Sequence, residues 1–124
     1  MKIIRYLDSQ DRAAYGWQAD DGAYYKIAGD IFAQYSATQE PADVAKLLAP
    51  VAPAAFLCIG LNYRQHAAET NAKIPERPIL FMKGINALQN PGDPILIPRF
   101  LPSEEVDYEC ELAVVIGRAW SRKM

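Results

Sequence analysis

The sequence holds 124 residues, 51% of them hydrophobic and 23% charged, with thirteen basic against fifteen acidic side chains and a formal net charge of −2. That composition suits one modest globular core, or a piece of a larger one, and excludes a disordered tail. It also lacks the basic excess that neutralises phosphates, so nucleic acid is excluded as a partner. No apolar run reaches the roughly 18 to 20 residues that span a bilayer, and the start from Met1 to Tyr6 lacks the apolar core of a secretion signal; no membrane partner and a cytosolic location are expected.

Residues 3 to 35 carry short runs rich in Ile, Tyr, Trp and Phe, broken by Asp20-Asp21-Gly22 and Ala28-Gly29-Asp30. This is the punctuation of hairpins and predicts a small β-rich unit. From Glu40 to Ala49, Pro41 stands near a helix start and Val44, Leu47 and Leu48 share one helical face, which predicts a short amphipathic helix. Pro50 and Pro53 remove donors and disfavour helix before them. They place a boundary that divides a small leading domain, residues 1–54, from residues 55–124.

Beyond the boundary, Ala54 to Ile59 is a continuous apolar run closed by Gly60, expected as a buried strand. Asn62 with Gln65 makes a variant capping box ahead of a short helix over Tyr63 to Ala72. Six of the nine prolines fall between Pro75 and Pro102 and cut that region into extended pieces such as Ile79 to Met82 and Ile95 to Ile97. Val106 to Ile116 alternates and then turns fully apolar, which predicts a strand entering the core. Cys58 and Cys110 lie in apolar stretches without CxxC spacing and are expected as reduced core thiols.

Five of the fifteen acidic residues crowd into positions 104 to 111, with no base among them. On a strand, Glu109 and Glu111 would project from one face about 6.5 to 7 Å apart. Two such charges repel by roughly 2 kcal/mol at an effective dielectric near 20, and a hard divalent cation relieves that: magnesium, or else manganese or calcium. A solvated strand face tolerates the same pair at roughly half a kcal/mol. His66, the single histidine, precedes Glu69 by three positions, so a helix brings them to one face, where the carboxylate can orient the imidazole for acid/base work or form a weak surface ion pair. Lys83, closing the run from Ile79, can snorkel into water or bind an anion. No GxSxG, GxxxxGK[ST] or GxGxxG segment is present, which removes the usual marks of a serine hydrolase, an NTPase and a dinucleotide enzyme.

The segments Cys58-Ile59-Gly60-Leu61-Asn62-Tyr63, His66-Ala67-Ala68-Glu69, Pro78-Ile79-Leu80-Phe81-Met82-Lys83 and Val106 to Gly117 follow one another in an order that resembles the fumarylacetoacetate hydrolase family over residues 56 to 117. The resemblance implies a β-rich α+β fold in which the leading domain is followed by the first part of a mixed β-sandwich or roll. It also implies Glu109 and Glu111 as metal ligands, His66 and Glu69 as an acid/base dyad on a lid helix, Lys83 near the substrate, and a homodimer.

The implied chemistry is metal-dependent cleavage of a carbon–carbon bond in a 2-oxo acid or 1,3-dicarbonyl compound, with decarboxylation or keto–enol isomerisation as alternatives. The family's further metal-binding aspartate has no counterpart here, and the segment from Arg118 to Met124 departs from the family pattern. A truncated or frameshifted product, inactive or nearly so by itself, is therefore expected. A non-catalytic fragment pairing with a full-length relative is the alternative of another class.

Overall fold

The structure is a computed structural model that describes residues 1–107 and 110–117. The chain forms two compact units, one of residues 1–50 together with the described residues from Asn90 onward, the other of residues 51–89. Among the described residues, no helix is long and apolar enough to cross a membrane.

The first unit is built on a five-stranded antiparallel sheet: β1 (Lys2–Leu7), β2 (Ala13–Gln18), β3 (Tyr24–Gly29), β4 (Tyr35–Pro41) and β5 (Lys46–Leu48), in spatial order β4-β3-β2-β1-β5. Three tight turns join the first four strands, and the expected breaks after β2 and β3 are two of them. Gly22 and Gly29 take φ of +90° and +95° there, a region closed to most side chains. An aspartate organises each turn: Asp8 Oδ1 accepts from the Gln10 and Arg12 amides, Asp21 Oδ1 from Ala23 and Asp30 Oδ1 from Phe32.

The sheet's tightest packing lies over β1 and β2. Ile4 and Tyr6 are buried, and Gly16 sits opposite Ile4. A Cβ on Gly16 would stand 3.1 Å from the Tyr6 ring, so the absence of a side chain is what lets that ring lie down on β2. On β3 and β4 the register slips between Tyr25↔Pro41 and Ile27↔Ala37. This bulge takes Thr38 out of the ladder, and its carbonyl accepts the Trp17 indole N–H at 3.0 Å. Trp17 also stacks on Tyr25, with ring centroids 5.0 Å apart.

The helix expected over Glu40 to Ala49 is not formed. Pro41 ends β4, and residues 46–48 pair with β1 as Arg5↔Leu48, Tyr6↔Leu47 and Leu7↔Lys46. The open edge of β1 offers ladder hydrogen bonds to a segment whose apolar spacing is compatible with either period, and the ladder prevails. A polar clasp then holds the loop that follows residue 89 onto this strand. Asn90 Oδ1 accepts the amide of buried Ala49 at 3.0 Å, and Lys46 Nζ meets Asp93 at 2.7 Å.

The second unit contains β6 (Phe56–Gly60), α1 (Arg64–Glu69), β7 (Ile79–Lys83) and a single 3₁₀ turn over Ile85–Ala87. β6 and β7 form an antiparallel pair in register from Phe56↔Lys83 to Gly60↔Ile79. The run expected as a buried strand is a strand, but its Leu57 is 67% exposed and every residue of β7 is exposed; two strands alone cannot cover both of their faces.

Helix α1 is shorter than the sequence predicts. Its cap is Tyr63, in extended conformation and without a side-chain cap bond, rather than Asn62. It stops at Glu69 because Asn71 turns left-handed at φ +52°, with the Asn71 amide bonded to the Ala68 carbonyl and the Ala72 amide to that of Ala67. These two bonds are the Schellman closure.

Candidate functional site

The register Gly60↔Ile79 decides what meets what in the second unit. Residues just after β6 and residues just before β7 emerge at the same end of the two-stranded sheet. There, residues 59–62 and 64 face residues 74–78 around a concave site of about 240 Å³. Its polar groups are Asn62, Arg64, Glu76 and Arg77, and the Glu76 carboxylate faces Lys73 at 3.8 Å. Leu61, on the same wall, holds φ at +50°. That conformation is costly for a branched side chain, of the kind found where a turn is held for a purpose.

Helix α1 begins on this wall at Arg64 and carries His66 and Glu69. The three-residue spacing puts both on one side of the helix, His66 half-buried and Glu69 exposed. Ala67, 1% exposed, is the residue by which the short helix is anchored. The His66 carbonyl accepts both the amide and the hydroxyl of Thr70, at 3.1 and 2.9 Å, so the turn bearing the imidazole is closed by its own C-terminus.

Lys83 stands opposite Phe56, at the other end of the ladder from Gly60 and Ile79. Four residues of strand separate it from that end, about 13 to 14 Å. Its ammonium lies 5.9 Å from the centre of the Phe81 ring. Lys83, like His66 and Glu69, is not among the residues that line the concave site, whereas Arg64 and Arg77, which the sequence did not single out, are. Two apolar runs flanking one helix were the available signal, since antiparallel pairing of those runs gathers the segments between them.

The carboxylate pair fares differently. Glu109 lies outside the described residues, and Glu111 is exposed. Residues 106–107 and 110–117 make no strand, and Leu112 is exposed beside Glu111 and Cys110, so the alternation expected there sorts no faces among the described residues. Ile95 to Ile97 is likewise exposed and outside any ladder. Cys110 is exposed and Cys58 half-buried, so neither thiol lies in a core. No group of three or more His, Cys, Asp or Glu side chains able to hold a metal ion occurs among the described residues. With Glu111 as the one described donor of the expected pair, these residues do not by themselves fit a cation site.

The fumarylacetoacetate (FAA) hydrolase C-terminal family profile matches residues 55–123, and a profile described as Rv2993c-like, N-terminal, matches residues 1–50. A fumarylacetoacetate hydrolase domain-containing protein 2 homolog of Dictyostelium discoideum is 49% identical over 78 residues, 63% of this chain and 25% of that protein. An uncharacterized protein of Archaeoglobus fulgidus is 42% identical over 93 residues, 75% of this chain and 36% of that one. A mitochondrial oxaloacetate tautomerase of Xenopus laevis is 48% identical over 73 residues, 58% of this chain and 22% of that enzyme. The chain therefore spans between 22% and 36% of the length of these curated relatives. No solved structure matches it.

Proposed function

Because the chain belongs to the fumarylacetoacetate hydrolase family through residues 55–123, we propose that it carries part of an enzyme site for acid/base chemistry on a 2-oxo acid or 1,3-dicarbonyl compound, of hydrolase or isomerase type. The observation that carries this reading is the placement of His66 and Glu69 on a helix that starts at the wall of a concave site bearing two arginines. His66 is the group for proton transfer. As a base it removes the proton from the carbon beside the 2-oxo group to leave an enolate, and as an acid it gives a proton to the enolate oxygen, which completes the enol; the reverse order gives the keto form. Glu69, one helical turn on, steadies the imidazolium that forms in between. In a hydrolase the same imidazole takes a proton from the water that attacks the second carbonyl, the carbon–carbon bond breaks with its electron pair leaving on the enolate of the 2-oxo fragment, and the imidazolium returns the proton to that carbon.

Glu109 and Glu111 are proposed as two of the oxygen donors to a hard divalent cation, magnesium first and manganese or calcium next, at a site that needs further donors beyond the described residues. The sandwich or roll around this site, a homodimer of the whole protein, a domain boundary near residue 54 and a cytosolic location belong to the same proposal, whereas Lys83, at the far end of the β6–β7 ladder, is left out of it.

The relatives named oxaloacetate tautomerases favour isomerisation as the first activity to test. The measurement is relaxation of enol oxaloacetate to the keto form, followed by ultraviolet absorbance with magnesium present. This chain by itself is expected to give a rate at or near the blank; joined to the remaining length of its curated relatives, it is expected to accelerate the reaction above the magnesium-only rate, with a loss of at least tenfold in His66→Asn. In that longer chain, a rate equal to the blank, or one unchanged in His66→Asn, overturns the reading.

A second reading rests on the exposed Leu57, Leu80 and Met82 of the β6–β7 pair. On this reading the chain is non-catalytic and pairs with a longer relative through those faces and strand edges. Size-exclusion chromatography separates the two, since a non-catalytic partner would run as aggregate alone and shift to a defined complex when the relative is added.

A further inference from the structure

We propose that Arg64 and Arg77 form a carboxylate-reading wall, so that the concave site of the second unit selects dicarboxylates over monocarboxylates; this rests on the 2-oxo acid reading above and adds to it the end of the substrate remote from the reacting carbons. Three observations converge. The antiparallel register Gly60↔Ile79 brings the turn after β6 and the segment before β7 to one end of the sheet, and each contributes one exposed arginine to the lining of the same cavity. Neither guanidinium has a carboxylate partner in an ion pair among the described residues, whereas the single acid on the wall, Glu76, is faced by Lys73. The cavity's charge is therefore left for a ligand to answer. Its volume, about 240 Å³, falls below the roughly 300 to 1,000 Å³ of pockets for drug-sized molecules and suits a compact acid of a few carbons.

A guanidinium presents a planar fork that pairs with a carboxylate through two parallel N–H···O bonds, a match that lysine does not provide. Leu61 adds a fourth observation. Its left-handed backbone, on the same wall as Arg64, fixes the path of the chain between β6 and α1 at a cost of order 1 to 3 kcal/mol, which a merely solvated loop has no reason to retain.

The test is calorimetric titration of the full chain with malonate, acetate and inorganic phosphate, none of which needs turnover. Malonate is expected to bind at least tenfold more tightly than acetate or phosphate. Arg64→Gln and Arg77→Gln should each weaken malonate at least tenfold, and Arg64→Lys and Arg77→Lys at least threefold, because charge without the fork is only part of the recognition. Far-UV circular dichroism verifies that each variant is folded, and the lysine variants carry the test if a glutamine variant is not.

Absence of malonate binding, binding indifferent to both arginines, or phosphate bound as well as malonate overturns the proposal. His66→Asn in the longer chain serves as the separating control. If it leaves tautomerisation unchanged while malonate still depends on the arginines, the acid/base reading falls and the wall stands; if it abolishes turnover while malonate does not bind, the wall falls alone.

Discussion

At the scale of single residues, two positions tolerate almost no change because backbone or packing has used all the room. Gly16 lies where a Cβ would stand 2.6 Å from the Tyr25 carbonyl oxygen and against the Tyr6 ring. Gly16→Ala must push β3 or Tyr6 aside, and a loss of about 1 to 3 kcal/mol in urea unfolding is expected, the usual range for overpacking. Gly22 is the converse case, with φ at +90° and open space around it, so Gly22→Ala reports backbone strain without a clash. Asn71 closes α1 in the left-handed region, where asparagine is tolerated and a β-branched residue is not. Asn71→Val is expected to cost about 1 to 2 kcal/mol and to fray the turn that carries His66, whereas Asn71→Gly should be neutral or stabilising; helical circular dichroism and unfolding midpoints check both.

Among elements, the legible parts of the fold were those whose signals are local. The hairpin turns announce themselves through Asp and Gly, and β6, α1 and β7 through apolar runs and an alanine-rich stretch, because each of these is settled by its own residues. Residues 40–49 form no helix although their spacing predicts one, since Val44, Leu47 and Leu48 suit either period and a distant partner, β1, decides between them. The placement of His66 and Glu69 on one side of α1 could be read from their three-residue spacing. That Arg64 and Arg77 line one concave site could not, since it depends on the register of two strands.

The turns and clasps also set an acid response. Hydrogen bonds from the Arg12 amide and guanidinium and from the Gln10 amide hold the Asp8 carboxyl below its ordinary value. The Ser9 hydroxyl and amide do the same for Asp43, and Lys46 with Asn90 for Asp93. A carboxyl depressed in the folded state contributes stability that is complete above its unfolded pKa and is lost as pH falls through the folded one. Thermal stability of the leading sheet should therefore be level near neutrality and decline below about pH 4, and Asp43→Asn should flatten part of that decline in melts followed by circular dichroism.

Across the whole molecule, protection is unevenly shared. The buried apolar side chains among the described residues are Ile4, Tyr6, Ala49 and Ala67, three of them in the first unit, while β7 is exposed throughout and Leu57 of its partner β6 lies largely in solvent. Hydrogen exchange followed by mass spectrometry should find the slowest amides in β1, β2 and β3 and the fastest in β6, β7 and residues 95–107, since local opening is cheapest where few apolar contacts must be broken. Uniform exchange across both units would contradict that ordering. The bulge in β4 carries one more consequence. By handing the Thr38 carbonyl to the Trp17 indole, beside the ring of Tyr25, it installs a fluorophore whose emission depends on three strands staying in place. The sequence has two tryptophans, so in Trp120→Phe the colour and polarisation of the light would come from Trp17 alone, and the leading sheet could be watched as it melts without attaching a dye.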